Sequence, residues 1–221
     1  MQKKKFGIII FPGTWSDKDC YYAINNILNN EAKYIWHKET NIDDLDCLVL
    51  PGGFSYGDYL RPGAIARFSP IMNEIINFAK TGKPIIGICN GFQILCEAKL
   101  LPGILLPNDV MEFRCTTTYL KVQNSNSIFT NECNENDILN IPISHGEGNY
   151  FANDDTIKDL EENKRILFKY SSISGNITKS SNPNAVSYTH LRAHETDSYL
   201  VWRLLLEKKR GGGGGGGGGG G

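Results

Sequence analysis

One cysteine of this 221-residue sequence lies in a context that is typical of a catalytic nucleophile. Cys89 follows the apolar run at residues 84–88 and precedes a segment with helical periodicity, and it lies two residues from both Gly87 and Gly91. A sharp strand-to-helix turn strains the backbone of its central residue and brings neighbouring segments too close for side chains, which explains flanking glycines. The pattern predicts a nucleophile elbow that carries a thiolate for acyl transfer.

The surroundings of this turn favour a reactive thiol. The first turn of the following helix carries partial positive charge, which stabilises thiolate over thiol, and the Asn90 amide is placed to donate to a developing oxyanion. Gly52 and Gly53 follow another apolar run and admit close backbone approach to a ligand, so their amides are candidates for the other half of an oxyanion hole. The alternatives are a buried structural cysteine at position 89 and a plain turn at the two glycines.

Strands and helices alternate in the segments that must position these residues. Apolar runs of strand length occur at residues 6–11, 47–50 and 84–88, and residues 23–28 have helical periodicity. Apolar residues between positions 65 and 78, spaced by three and four, predict an amphipathic helix. This alternation predicts an α/β fold with a doubly wound, mostly parallel sheet of flavodoxin-like type, covered by helices on both faces. Active sites of such sheets lie where the strands end, and both candidate loops fall there.

The pattern changes beyond Leu106. Strands are predicted at residues 113–122 and 137–143, with turn-rich polar spacers such as residues 123–126. Neither an internal repeat nor a second domain is indicated, so one domain is predicted over residues 1–184.

Four blocks of sequence carry a resemblance to a known family. Residues 87–93, GICNGFQ, resemble the GxCxGxQ signature of class I, or triad-type, glutamine amidotransferases, whose cysteine attacks the side-chain amide of glutamine. The other blocks are PGGFSYGDYL at 51–60, GAIARF at 63–68 and HGEGN at 145–149. In this order they resemble the glutaminase subunits of phosphoribosylformylglycinamidine synthase, and the match spans residues 4–184.

The resemblance implies a reaction and partners. Cys89 would attack the carboxamide of L-glutamine, release ammonia and form a glutamyl thioester that water hydrolyses to glutamate. The ammonia would pass to a synthetase subunit, in a complex with a small accessory subunit, that uses ATP and Mg²⁺ to convert formylglycinamide ribonucleotide to formylglycinamidine ribonucleotide in purine (IMP) biosynthesis. No cofactor is then expected on this chain, and the sequence has neither a GxxxxGK[ST] phosphate loop nor a Rossmann glycine triplet.

The resemblance also implies roles for single residues. Gly53 and Asn90 would supply oxyanion amides, and Gln93 would help to bind glutamine. The family places its base in a His-Pro-Glu motif, which this sequence lacks. His145 and Glu147 form a His-x-Glu pair that can orient an imidazole for proton transfer. Because the resemblance assigns the base elsewhere, we favour the alternative that this pair shapes the cleft or the synthetase interface.

The C-terminal residues resemble a processing scar. Residues 186–221 read like a translated sequencing adaptor followed by a glycine run. We therefore expect residues 185–221 to be a non-native, disordered tail, and the domain to have lost its base and its last strand. Such a fragment would be inactive and would expose an unpaired apolar sheet edge. The alternative is a native amphipathic helix at residues 198–210 before a flexible glycine linker.

Composition and charge exclude several classes of protein. With 23 basic and 24 acidic side chains the formal net charge is -1, which gives no electrostatic footprint for nucleic acid or a membrane surface. Six cysteines without a CxxC pair, and no apolar stretch of membrane-spanning length, predict reduced thiols in a cytoplasmic protein. Metal-ligand spacing is absent as well, and the Trp36-His37 pair is expected to serve packing or a subunit contact. The remaining alternatives are a stand-alone cysteine hydrolase or deglycase-like protein of the same fold, and a non-catalytic regulatory subunit.

Overall fold

A computed structural model describes residues 3–184 and the backbone of residues 199–200. The expected tail at residues 185–221 otherwise lies outside the described residues. In chain order the elements are β1 (Lys5–Ile10), α1 (Asp17–Tyr22), β2 (Glu31–Trp36), β3 (Cys47–Leu50), α2 (Ile71–Lys80), β4 (Ile85–Gly87), α3 (Asn90–Glu97), β5 (Ile104–Leu106), β6 (Arg114–Val122), β7 (Ile138–His145), β8 (Asn149–Phe151), α4 (Asp154–Glu162), β9 (Phe168–Ser171) and β10 (Tyr199–Leu200).

The principal sheet is parallel and has the strand order β10-β4-β3-β1-β2. Its central strands are buried on both faces: Val49 packs with Ile24, in the π-helical segment that follows α1, and Leu48 packs on the opposite face with Ile75 of α2 and Leu95 of α3. Burial on both faces explains why the strands are continuous apolar runs rather than alternating ones. The prediction of a doubly wound α/β sheet is confirmed, and β3 has the predicted bounds.

Helix α2 begins later than predicted. The apolar periodicity from position 65 indicated one helix, but residues 66–68 form only a short 3₁₀ turn, and α2 starts at Ile71. The cause is Pro70, which disfavours helical backbone at the preceding residue, and Ser69 accordingly has ψ 144°. Phe68, predicted for the buried face, is 74% exposed.

A second layer of antiparallel strands follows the parallel sheet. Strands β6, β7 and β9 form one sheet in the order β7-β6-β9, and β5 pairs with β8. The predicted strands at 113–122 and 137–143 correspond to β6 and β7, but β7 extends to His145, which is in register with Arg114. The layer therefore carries His145 to the end of a strand and directs the following loop toward the parallel sheet.

The edge of β4 differs from the prediction of an unpaired strand. Tyr199 and Leu200 lie beside Ile85 and Ile86 in parallel register. An open row of N–H and C=O groups on an apolar strand is a template for any extended segment, which is the physical reason that two residues from the expected tail pair there.

Within the described part of the chain, no helix is long and apolar enough to cross a bilayer.

The start of α4 provides a test of the fold. Asn153 accepts a hydrogen bond from the Thr156 amide at 2.9 Å and so caps the helix. Asn153→Ala should lower the free energy of unfolding in urea by about 1 kcal/mol. Asn73→Ala, at an exposed position inside α2, is the matched control and should change it by less than about 0.5 kcal/mol. Equal effects of the two substitutions would contradict the capping role.

Candidate active site

Cys89 occupies a strained turn between β4 and α3. Its backbone has φ 50° and ψ -107°, and its side chain is exposed. A Cβ at Gly91 would overlap the carbonyl oxygen of Leu50 at the end of β3, so only glycine lets α3 begin this close to the sheet. The turn is the elbow that the sequence predicted, and it presents the sulfur above the first turn of a helix, where positive partial charge favours the thiolate.

The other cysteines contrast with Cys89. Cys47 and Cys96 are buried, and burial raises the pKa of both thiols. Cys20 lines the same cleft as Cys89, but burial, together with the neighbouring carboxylates of Asp19 and Asp17, raises the pKa of its thiol to about 12. Cys20 is therefore protonated at neutral pH and is not a second nucleophile.

The glycine loop after β3 faces the sulfur. A Cβ at Gly52 would lie 3.4 Å from the Cβ of Cys89, while Gly53 has φ 151° and leaves 2.6 Å between an added Cβ and the carbonyl oxygen of Gly13. The carbonyl of Gly52 accepts hydrogen bonds from the amides of Trp15 and Ser16, at 3.0 and 3.1 Å. These contacts fix the loop so that it lies against Cys89, as the shared strand-end location predicted.

Two peptide amides are available beside the sulfur. Among the described residues, neither the amide of Gly53 nor that of Asn90 donates a hydrogen bond to a protein acceptor. Amides with no acceptor of their own, fixed at a strand end and at a helix start, suit the negative oxygen of a tetrahedral intermediate.

The side chain of Asn90 connects the glycine-containing loop to α3. Its Oδ1 accepts from the Ser55 amide at 3.1 Å, and its Nδ2 donates to Asp58 Oδ1 and to Gln93 Oε1, each at 3.1 Å. Gln93 in turn donates from Nε2 to the carbonyl oxygen of Glu147 at 3.1 Å. The three loops that meet at Cys89 are thus held by one line of hydrogen bonds.

Residues 56–60 form a strained loop above this line. Tyr56, Gly57, Asp58 and Leu60 all have φ between 53° and 72°, a conformation that residues with side chains seldom adopt. The Tyr56 hydroxyl holds the loop in place because it lies 2.9 Å from His37 Nδ1 and 2.8 Å from Ser69 Oγ. Burial lowers the pKa of His37, which packs beneath this loop, while Trp36 beside it is exposed.

The segment after this loop is tied to α3. Arg61 donates through Nε and Nη2 to the two carboxylate oxygens of Glu97, at 2.6 and 2.8 Å. A Cβ at Gly63 would lie 2.8 Å from the Ile94 amide nitrogen, so the backbone there contacts the helix directly. The GAIARF block at 63–68 therefore serves to hold the loop against α3.

His145 and its neighbours form the opposite wall. His145 Nε2 lies 2.7 Å from Asn184 Oδ1, and Asn184 Nδ2 donates to the Gly148 carbonyl at 3.0 Å. Asn108, fully buried, donates to the His145 carbonyl and accepts from the Gly148 amide, both at 3.0 Å. The Cys89 sulfur is 3.9 Å from the Ser144 carbonyl oxygen, so this wall reaches the nucleophile.

The walls enclose a cleft of about 560 Å³. It brings together Cys89, Gly52, Gly53, Gln93, His145 and Glu147, all of which the sequence had singled out. Asp58 also lines the cleft but was not predicted, although it follows the strand-end glycines within one motif. Its carboxyl group is partly buried, and burial raises its pKa to about 6 despite the hydrogen bond from Asn90. Over the described ranges no three His, Cys, Asp or Glu side chains are grouped as metal ligands.

The parallel α/β sheet, the cysteine elbow and the two candidate oxyanion amides fit a class I glutamine amidotransferase. The sequence matches the family described as CobB/CobQ-like glutamine amidotransferase domain over residues 3–189. A solved structure of the glutaminase domain of Trypanosoma brucei CTPS shares the fold alone, with a TM-score of 0.55 and 12% identity over 93% of this chain and 87% of that one.

Closer relatives narrow the assignment. Phosphoribosylformylglycinamidine synthase subunit PurQ of Moorella thermoacetica is 53% identical over 180 residues, which are 81% of this chain and 76% of that protein. The same subunit of Salinibacter ruber is 48% identical over 81% of this chain and 77% of that protein. A chain in the structure of PurLQS from Thermotoga maritima has a TM-score of 0.77 and 35% identity, covering 90% of this chain and 85% of that one. This chain belongs to the PurQ family.

The requirement for glycine at position 91 can be tested directly. Gly91→Ala places a Cβ against the backbone of Leu50, which cannot move without shifting β3, and should destabilise the protein by about 1–3 kcal/mol or more. Thermal and urea unfolding measure the loss. Gly146→Ala is the matched control, since the nearest atom to its added Cβ is 3.6 Å away on Phe113. Comparable destabilisation of both variants would show that the close approach at Gly91 is not the constraint.

Proposed function

We propose that this chain is the glutaminase subunit of a phosphoribosylformylglycinamidine synthase. It hydrolyses L-glutamine to glutamate and ammonia and passes the ammonia to a synthetase subunit that converts formylglycinamide ribonucleotide to formylglycinamidine ribonucleotide. A small accessory subunit completes the complex. The observation that carries the proposal is Cys89, exposed on a left-handed bend at the start of α3 and beside the amides of Gly53 and Asn90. The PurQ relatives and the PurLQS structure support the partners.

The geometry performs acyl transfer in two steps. The Cys89 thiolate attacks the carboxamide carbon, and the amides of Gly53 and Asn90 receive the negative oxygen that develops. Collapse of this intermediate breaks the carbon–nitrogen bond, the nitrogen leaves as ammonia after it takes up a proton, and a glutamyl thioester remains on Cys89. Water then attacks the thioester and releases glutamate. ATP and Mg²⁺ are assigned to the synthetase subunit, and reduced thiols support a cytoplasmic location.

Proton transfer is the step for which the sequence contains the fewest candidate residues. Its 221 residues contain no His-Pro-Glu motif. His145 faces the cleft, and its Nε2 lies 2.7 Å from the amide oxygen of Asn184, which orients the ring. We therefore assign His145 and Glu147 to the shape of the cleft and propose that the chain as printed turns over slowly.

The role of Cys89 predicts a separation of two activities. We consider a chimaera in which residues 185–221 are replaced by the C-terminal segment of the Moorella relative, assayed with synthetase and accessory subunits. Cys89→Ala should abolish glutamine-dependent formation of formylglycinamidine ribonucleotide, while synthesis from added ammonia persists. Cys115→Ala, which removes another exposed thiol, should retain both activities. Loss of both activities in the Cys89 variant, or of neither, would contradict the assignment.

The missing base predicts a rate difference. The printed chain should release glutamate about 10²- to 10⁴-fold more slowly than the chimaera, because general base catalysis contributes that range. Glutamate release in the presence of the synthetase is the measurement. Equal rates would show that residues within the printed sequence, His145 foremost, already supply the base. Full activity of the chimaera without any synthetase would instead favour a stand-alone hydrolase.

A further inference from the structure

The cleft has an acidic wall. Asp58 and Glu147 form it, Asp19 lies elsewhere in the cleft beside Cys20, and no lysine or arginine is among the described lining residues. A neutral carboxamide needs no carboxylate for its recognition, so the chemistry at Cys89 leaves these groups unexplained. A ligand with a positive charge would be attracted to them.

Asp58 is directed toward the substrate side of the nucleophile. Its Oδ1 accepts from Asn90 Nδ2, and Asn90 also donates to Gln93, one helical turn beyond Cys89. Three carbon–carbon bonds of about 1.5 Å separate the carboxamide carbon of glutamine from its α-carbon, so the α-ammonium lies about 5 Å from the atom under attack. Asp58 is bonded to the residue next to Cys89 and lines the same cleft, so the two groups lie on the scale of one amino acid apart.

The carboxylate oxygens on this side have spare acceptor capacity. Among the described residues, no hydrogen bond reaches Asp58 Oδ2 or either side-chain oxygen of Glu147. The nearby cation, Arg61, already forms a bidentate pair with Glu97. Burial and the charge of Asp58 raise the pKa of Glu147, although Arg61 acts against them. Two neighbouring carboxylates that repel one another are stabilised when a further cation enters between them.

We propose that Asp58, with Glu147 beside it, receives the α-ammonium of L-glutamine and so selects an α-amino acid over other primary amides. This inference rests on the proposed glutaminase function and adds a specificity residue to it. Asp58 is held for this role by the left-handed loop at 56–60 and by the Asn90 bond, which orient its carboxylate before substrate arrives.

Two chloroketone reagents isolate the ammonium contact. The first, 2-amino-5-chloro-4-oxopentanoate in its L form, mimics glutamine, and the second, 5-chloro-4-oxopentanoate, lacks only the amine. Second-order rate constants for alkylation of Cys89 are measured by mass spectrometry on the 221-residue chain, because alkylation, unlike turnover, needs no general base. The wild type should react about 10- to 100-fold faster with the amine-bearing reagent, as expected for a hydrogen bond to a charged group.

Substitutions then assign the contact. Asp58→Asn keeps an acceptor for Asn90 but removes the charge, and it should erase most of that preference while its rate with the deamino reagent stays within about twofold. Glu147→Gln, whose carboxylate accepts no hydrogen bond from a described residue, should lower the preference in the same sense. Asp19→Asn, an identical change elsewhere in the cleft, should leave both rates unchanged.

The remaining outcomes overturn the inference in distinguishable ways. An Asp58 variant that keeps the full preference, or that slows both reagents equally, would show that Asp58 has no contact with the ammonium. If the glutamine mimic alkylates Cys89 of the wild type no faster than the deamino reagent does, the inference is wrong, but acyl transfer at Cys89 is not contradicted. If neither reagent modifies Cys89 faster than Cys115, the glutaminase function falls with it.

Discussion

The contact between the start of α3 and the end of β3 is the constraint on which the site depends. At Gly91 the helix backbone lies against the carbonyl of Leu50, so closely that no side chain fits between them. Two residues earlier, Cys89 adopts a positive φ of 50° and lies exposed with its sulfur over the helix terminus. Strain at a nucleophile is held by the surrounding structure. Here the buried faces of β3 and α3 hold it, because Leu50 and Leu95 are fully buried.

A second consequence of that contact is that loops from distant parts of the chain share one helix. Asn90 and Gln93 bind the loops on either side of the cleft, so the acidic wall and the nucleophile keep their separation when the surface moves. The bidentate pair of Arg61 and Glu97 adds a further attachment at the end of the same helix. Charge-assisted bidentate bonds fix direction as well as distance, which suits a loop whose backbone is otherwise unfavourable.

The sequence predicted the parts of this arrangement that local sterics and burial determine. The strands were recognisable because burial on both faces leaves no polar alternation, and Cys89 because its flanking glycines have a steric cause. The start of α2 was predicted too early. The prediction gave more weight to the regular apolar spacing than to the effect of Pro70 on the backbone of Ser69. Asp58 was missed because a left-handed loop of residues with side chains has no signal in composition; it depends on contacts with His37 and Asn90, distant in sequence.

The two thiols of the cleft differ in a way that matters for oxidative chemistry. Cys20, with a pKa of about 12, stays protonated, while Cys89 lies exposed at the positive end of a helix. Disulfide exchange and oxidation begin from a thiolate, so peroxide or a disulfide reagent meets one reactive sulfur here and an inert neighbour. The cleft therefore has no ready resolving thiol in Cys20, and a sulfenic acid formed at Cys89 would depend on an external thiol for its repair.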